Sequence, residues 1–99
     1  MQNVSLKLVT IICEPILSAE LTALAKSIGA TGFTVTEVQG EGSSHRQSGE
    51  IPDAKIKIEL ISDSALATKF LEEVASTYFE NYSVIAYVTD VSVIRAKKF

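Results

Sequence analysis

The sequence predicts an α+β domain of four strands and two helices in the order β-α-β-β-α-β. Two segments place apolar residues three or four positions apart, the spacing of a helix stripe. Four others are rich in β-branched and apolar residues, and two of these are of alternating type, as half-buried strands are. The length of 99 residues, 46% of them hydrophobic, suits one packed core, so residues 1–99 are read as a single domain.

Ser5–Cys13 reads as the first strand, with Leu8, Val9, Ile11 and Ile12 nearly continuous, as in a strand covered on at least one face. Pro15 then suits the first turn of a helix. Leu17, Leu21, Leu24, Ala25 and Ile28 form one stripe, and Gly29 stands where a C-terminal cap belongs, which gives a helix over Pro15–Ile28. Phe33–Val38 alternates: Phe33, Val35 and Glu37 point one way, Thr34, Thr36 and Val38 the other. In Ala54–Ile61, Ile56, Ile58 and Leu60 alternate with Lys55, Lys57 and Glu59; one face is core and the other is wet or faces a ligand. Asp63 and Ser64 offer an N-cap to a helix carrying Leu66, Phe70, Val74 and Tyr78, and Asn81 and Tyr82 break that pattern. Ser83–Ile94 returns to a strand.

This order is the split βαβ, or ferredoxin-like, arrangement, with both helices on one face of an antiparallel sheet. No third helix exists to cover the other face, which holds enough Val, Ile and Tyr to expect a partner subunit. The topology hosts many unrelated activities, so function has to be read from a site.

Composition removes several classes. A net charge of −3 opposes a nucleic-acid surface, and the basic residues cluster only at Arg95, Lys97 and Lys98. Cys13 is the sole cysteine, which forbids an intrachain disulfide, fits a reducing compartment and leaves no Cys/His metal set; it reads as a small buried hydrophobe. The first dozen residues are too short and polar for a signal peptide, and no apolar run approaches the roughly 18 residues of a membrane span. A cytoplasmic protein without membrane insertion is expected. One histidine without an evident nucleophile, and Glu72 and Glu73 diverging on a helix, make no catalytic constellation. The protein is therefore not read as an enzyme.

The polar stretch Gln39–Asp53, QGEGSSHRQSGEIPD, is far longer than a tight hairpin needs. Its Gly40 and Gly42, the hydroxyls of Ser43 and Ser44, and Arg46 are the ingredients of an anion-binding loop. Glycines let backbone N–H groups turn to a ligand, and a guanidinium grips planar anions with two bonds.

Gly32–Gly42, GFTVTEVQGEG, closely resembles the strand and loop start of the PII family of signalling proteins, which pair a Thr-Val-Thr-Glu-Val strand with Gly-x-Gly. AKIKIELIS, Ala54–Ser62, looks like the family's next strand, and Pro15 and Ile94-Arg95-Ala96-Lys97 fall in family-like places. The resemblance implies a homotrimer holding adenine nucleotides in clefts between subunits, with no prosthetic group. By position, Ile12, Gly32, Phe33 and Thr34 would wall the adenine and ribose, and Glu59 and Ile61 would line the base. Gly40, Glu41, Gly42 and Ser43 would meet the phosphates, and Arg95 and Lys97 the phosphate or ribose. Arg46 is, by its own chemistry and its place just after the glycines, a candidate for phosphate or bicarbonate.

Three departures narrow the expectation. The loop is short and lacks the family's modifiable tyrosine, which argues against uridylylation. Ser44 replaces a Gln that orients Mg-ATP and 2-oxoglutarate. The second phosphate loop is reduced to Phe79-Glu80-Asn81-Tyr82-Ser83, where Ser83 is carried as a nucleotide-binding residue and Tyr82 reads as packing at the helix end, with stacking on a base or closing the cleft as the alternative. ADP or AMP is therefore expected over Mg-ATP. These features resemble PII-like proteins of inorganic-carbon handling, in a carboxysome-associated branch where bicarbonate binds with the nucleotide. The alternative is a regulator of a bicarbonate transporter that senses cyclic AMP or AMP. A small acylphosphatase-like hydrolase is disfavoured because Thr10–Glu14 supplies neither the Arg nor the Asn it needs. An RNA-binding module lacks its aromatic signature.

Overall fold

The computed structural model describes residues 3–40 and 53–99. Strand β1 spans Val4–Cys13, β2 Thr34–Gly40, β3 Asp53–Ser62 and β4 Ile85–Val93; helix α1 spans Ser18–Ser27 and α2 Ser64–Tyr78. Short 3-10 turns, Pro15–Leu17 and Ala96–Lys98, precede α1 and follow β4. The sheet order is β2-β3-β1-β4, and every pairing is antiparallel. This is the expected ferredoxin-like arrangement.

The register sorts each strand into two faces. Val9, Ile11 and Cys13 of β1 lie beside Ile56, Ile58 and Leu60 of β3, all buried beneath the helices. Leu17, Leu21 and Ala25 come down from the first helical segment, and Ala67, Phe70, Val74 and Tyr78 from α2. The alternation in β3 and the two helix stripes are thus the core itself. Phe70, Ile11 and Leu21 are fully buried.

The helix ends follow their local chemistry. Pro15 opens the 3-10 turn, where its missing N–H is not needed, and Leu17 N–H donates to the Glu14 carbonyl. Asp63 caps α2 by accepting from the Leu66 N–H at 2.9 Å. At the end of α1, Ala30 N–H donates to the Ala25 carbonyl and Gly29 N–H to that of Lys26, the paired bonds of a Schellman cap. Gly29 holds φ at 107°, a conformation that a side chain disfavours.

Several boundaries differ from the sequence reading, β4 for one beginning at Ile85 rather than Ser83, and three regions of difference bear on the site. The ladder between β2 and β3 continues through Gln39↔Ala54 and Gly40↔Asp53, so Gln39, Gly40 and Asp53 are strand residues. Two-strand pairing favours running to the end of both partners, and Gly40 is tolerated there because its backbone stays extended. At the other end, β4 stops at Val93 and the chain turns at Ala96–Lys98. Arg95 and Lys97 therefore do not alternate along a strand. The first helix is a 3-10 turn followed by a ten-residue α-helix rather than one unit from Pro15.

The sheet face away from the helices carries Leu6, Leu8 and Ile12 from β1, Ile61 from β3, and Ile85, Tyr87, Val91 and Val93 from β4. Ile85 and Tyr87 are about half exposed, whereas the β1 residues are partly covered by their neighbours. Among the described residues no helix lies over this face, and none is long and apolar enough to cross a membrane.

Candidate functional site

Two cavities open on the uncovered side of the sheet, at opposite ends of the β1–β3 ladder. The first, about 380 Å³, is lined by Thr31, Gly32, Phe33 and Thr34 at the start of β2, by Glu59, Leu60 and Ile61 of β3, by Leu8, and by Lys98 and Phe99. The second, about 290 Å³, is lined by Ile12, by Val38, Gln39 and Gly40, by Lys55 and Lys57, and by Ser83, Ile85 and Tyr87. Leu8 and Ile12 mark the two along β1, four residues or roughly 13 Å apart.

This divides the residues expected at one nucleotide site into two sets. Gly32, Phe33, Thr34, Glu59 and Ile61 share the first cavity, and Ile12, Gly40 and Ser83 share the second. Glu41, Gly42, Ser43, Ser44 and Arg46 lie outside the described residues. Tyr82 lines neither cavity. Its ring leans on Tyr78, with centroids 5.9 Å apart and planes at 59°, so in this chain it packs against the end of α2. Arg95 and Lys97 likewise line neither. In the terminal 3-10 turn each residue rotates by roughly 120°, which brings Lys98 rather than Lys97 to the first cavity.

The chemistry of the two cavities differs. The first is a slot between the start of β2 and an apolar wall of Leu8, Ile61 and Phe99, with the Glu59 carboxylate and Lys98 at hand. Planar, partly polar groups suit such a surface. The second brings two half-buried lysines, Lys55 and Lys57, onto one side of β3, about 7 Å apart. Lys57 lies between Ile12 of β1 and Thr36 of β2. The ion pair among the described residues is elsewhere, between Lys7 and Asp90, and leaves both lysines without a carboxylate partner in that set. Together with the Ser83 and Tyr87 hydroxyls they form an anion-accepting cluster. Sequence reading saw the alternation but gave these lysines no role. The usable signal was a Lys-x-Lys pair on the non-core face of a central strand.

Elsewhere, burial pushes the Cys13 thiol up to about 11, with Glu14 adding to the rise and Lys55 opposing it. Tyr78 is also raised, by burial first and then by its hydrogen bond to Glu20, donated at 3.1 Å. Both groups are structural: Cys13 lies in the core and Tyr78 ties α2 to α1. Among the described residues no group of three or more His, Cys, Asp or Glu comes together as a metal site.

Known proteins place this geometry. The chain is similar to a PII-like signalling protein of Thermus thermophilus, with 39% identity, a TM-score of 0.85, and coverage of 100% of this chain and 99% of that one. It is similar to the CPII protein of Thiomonas intermedia in its structure with ADP, AMP and acetate, with 29% identity, a TM-score of 0.86, and coverage of 100% and 98%. For the same protein with ADP and bicarbonate the values are 30%, 0.85, 99% and 97%. The profile of the nitrogen regulatory protein P-II family matches residues 6–98. With fold, strand motif and nearly full-length similarity in agreement, this chain belongs to the P-II family and is a PII-like signalling protein.

Proposed function

We propose that the protein is a non-enzymatic regulator that binds ADP or AMP, with bicarbonate as a second ligand, in clefts between the subunits of a homotrimer. The observation that carries this reading is the division of the expected site into two half-sites on one face of the sheet. A ring with three-fold symmetry sets one surface of each copy against a different surface of the next. In such a ring the slot at Gly32 and Glu59 faces the lysine cluster of its neighbour. The slot takes the adenine and ribose, and Lys55, Lys57 and Ser83 take the phosphate. The exposed Ile85 and Tyr87 belong to the surface that closes between copies.

Two further observations support the ligands. The similar CPII protein has been captured with ADP, AMP and bicarbonate. The second cavity here gathers two lysines, Lys55 and Lys57, where a negatively charged group would be met. The loop read over Gln39–Asp53, whose residues 41–52 lie outside the described residues, is the ligand-responsive partner-binding element in this reading. Its partner is a carboxysome component or, in the alternative, a bicarbonate transporter, with AMP or cyclic AMP as the sensed ligand. The protein acts from the cytoplasm.

A thermal-shift panel tests the proposal: AMP, ADP, ATP and cyclic AMP, each with and without bicarbonate. A ligand present at a hundred times its Kd stabilises by about 2.7 kcal/mol, a shift of many degrees for a domain of this size. AMP and ADP are expected to shift the transition, and bicarbonate to enlarge the shift. No shift with any nucleotide up to millimolar concentration would remove the reading.

A further inference from the structure

Thr31 sits just before β2, and its hydroxyl reaches across the fold. Its Oγ1 donates a 2.8 Å hydrogen bond to the carbonyl of Lys98, 67 positions further along the chain. The Lys98 N–H in turn donates to the Arg95 carbonyl and closes the terminal turn. The consequence is local and specific: the turn is held against the first cavity, where Phe99 forms part of its wall. Phe99 remains 42% exposed, so its ring is held there without being buried in the core.

Fixing a turn of this kind costs roughly 1–2 kcal/mol per residue in backbone entropy. A large aromatic left half in water recovers little of that. A ring in this position becomes useful when a flat, apolar-faced group fills the slot beside it, because stacking then completes its burial. We propose that Thr31 is a positioning residue which, through the Lys98 carbonyl, sets Phe99 as the aromatic wall against which a purine base rests. The inference rests on the nucleotide reading above and adds the elements that select the base.

The clasp has two separable parts. Thr31→Val removes the hydroxyl at an exposed position while preserving shape. It is expected to weaken AMP binding threefold to tenfold, the loss that follows one neutral hydrogen bond, and to lower the melting temperature of the free protein by a few degrees. Thr31→Ser restores the donor and is expected to bind AMP within twofold of the parent. Phe99→Ala is expected to reduce the preference for AMP over CMP at least threefold, since a purine offers the larger stacking face. Calorimetric titration of the full chain with AMP and CMP reads all three variants. Unchanged AMP affinity in Thr31→Val, or an unchanged AMP-to-CMP ratio in Phe99→Ala, overturns the inference while leaving nucleotide binding intact. Failure of the parent protein to bind AMP or ADP overturns both.

Discussion

Replacing Lys57 by Gln tests the anion cluster with the least disturbance to the fold. Lys57, with its long aliphatic stem, is half-buried on the uncovered side of β3, between Ile12 and Thr36 in register. Gln keeps most of that stem and a polar head but removes the charge. A unit charge about 4 Å from a phosphate oxygen is worth about 4 kcal/mol at an effective dielectric of 20 and about 1 kcal/mol in bulk water. Hydrogen bonds to charged groups net about 1.5–3 kcal/mol. At this half-exposed position about 2 kcal/mol is expected, or roughly a thirtyfold rise in the Kd for AMP. Adenosine has no phosphate, so its affinity should stay within about twofold. Calorimetry at low and moderate salt reads the effect, and the salt dependence of AMP binding should become shallower in the variant. Equal losses for AMP and adenosine would mean that Lys57 shapes the pocket rather than meeting the phosphate. No loss for either would take the cluster out of the site.

Two predictions concern the scaffold. Gly29→Ala meets only ordinary contact with Leu66, so its cost is the backbone strain at φ 107°, about 1–2 kcal/mol, seen as a melting temperature lower by several degrees. An unchanged melting temperature would refute the cap assignment. Cys13 should resist alkylation in the folded protein at neutral pH. Its thiol, held at about 11 against an ordinary 9.0, gives stability that is complete below pH 9 and falls as pH rises toward 11, because the unfolded chain releases its proton first. The loss amounts to at most about 3 kcal/mol. Tyr78 acts in the same direction, so the measurement is the difference between the parent and Cys13→Ala in urea titrations at pH 8 and pH 10.5. The two proteins should converge in stability as pH rises; parallel curves would refute the assignment.

Much of the fold was legible because local periodicity and core position coincide. Ile56, Ile58 and Leu60 alternate because one face of β3 is buried, and Leu17, Leu21 and Ala25 share a stripe because one side of the helix is. The limits lay where partners far apart in the chain decide. Ile94 and Arg95 continue the chemistry of a strand, yet β4 pairs only to Val93, opposite the start of β1 at Val4. Gly40 looks like a turn residue beside Gly42, yet Asp53 pairs with it. The candidate site was legible as a set of residues through one strand motif. Its division into two cavities was not, because the division depends on which ends of β1 and β3 those residues flank. The Thr31–Lys98 clasp has no local signature at all.

Subunit mixing tests the shared cleft most directly. Thr34→Trp fills the first cavity, and Lys55→Gln with Lys57→Gln neutralises the second. Each variant alone should bind AMP poorly. Co-expressed with different tags and purified through both, mixed trimers should regain about one parent-affinity site in three, because one junction then joins two intact halves. If mixed assemblies bind no better than either variant, or if no mixed trimer forms, the cleft is not built between copies.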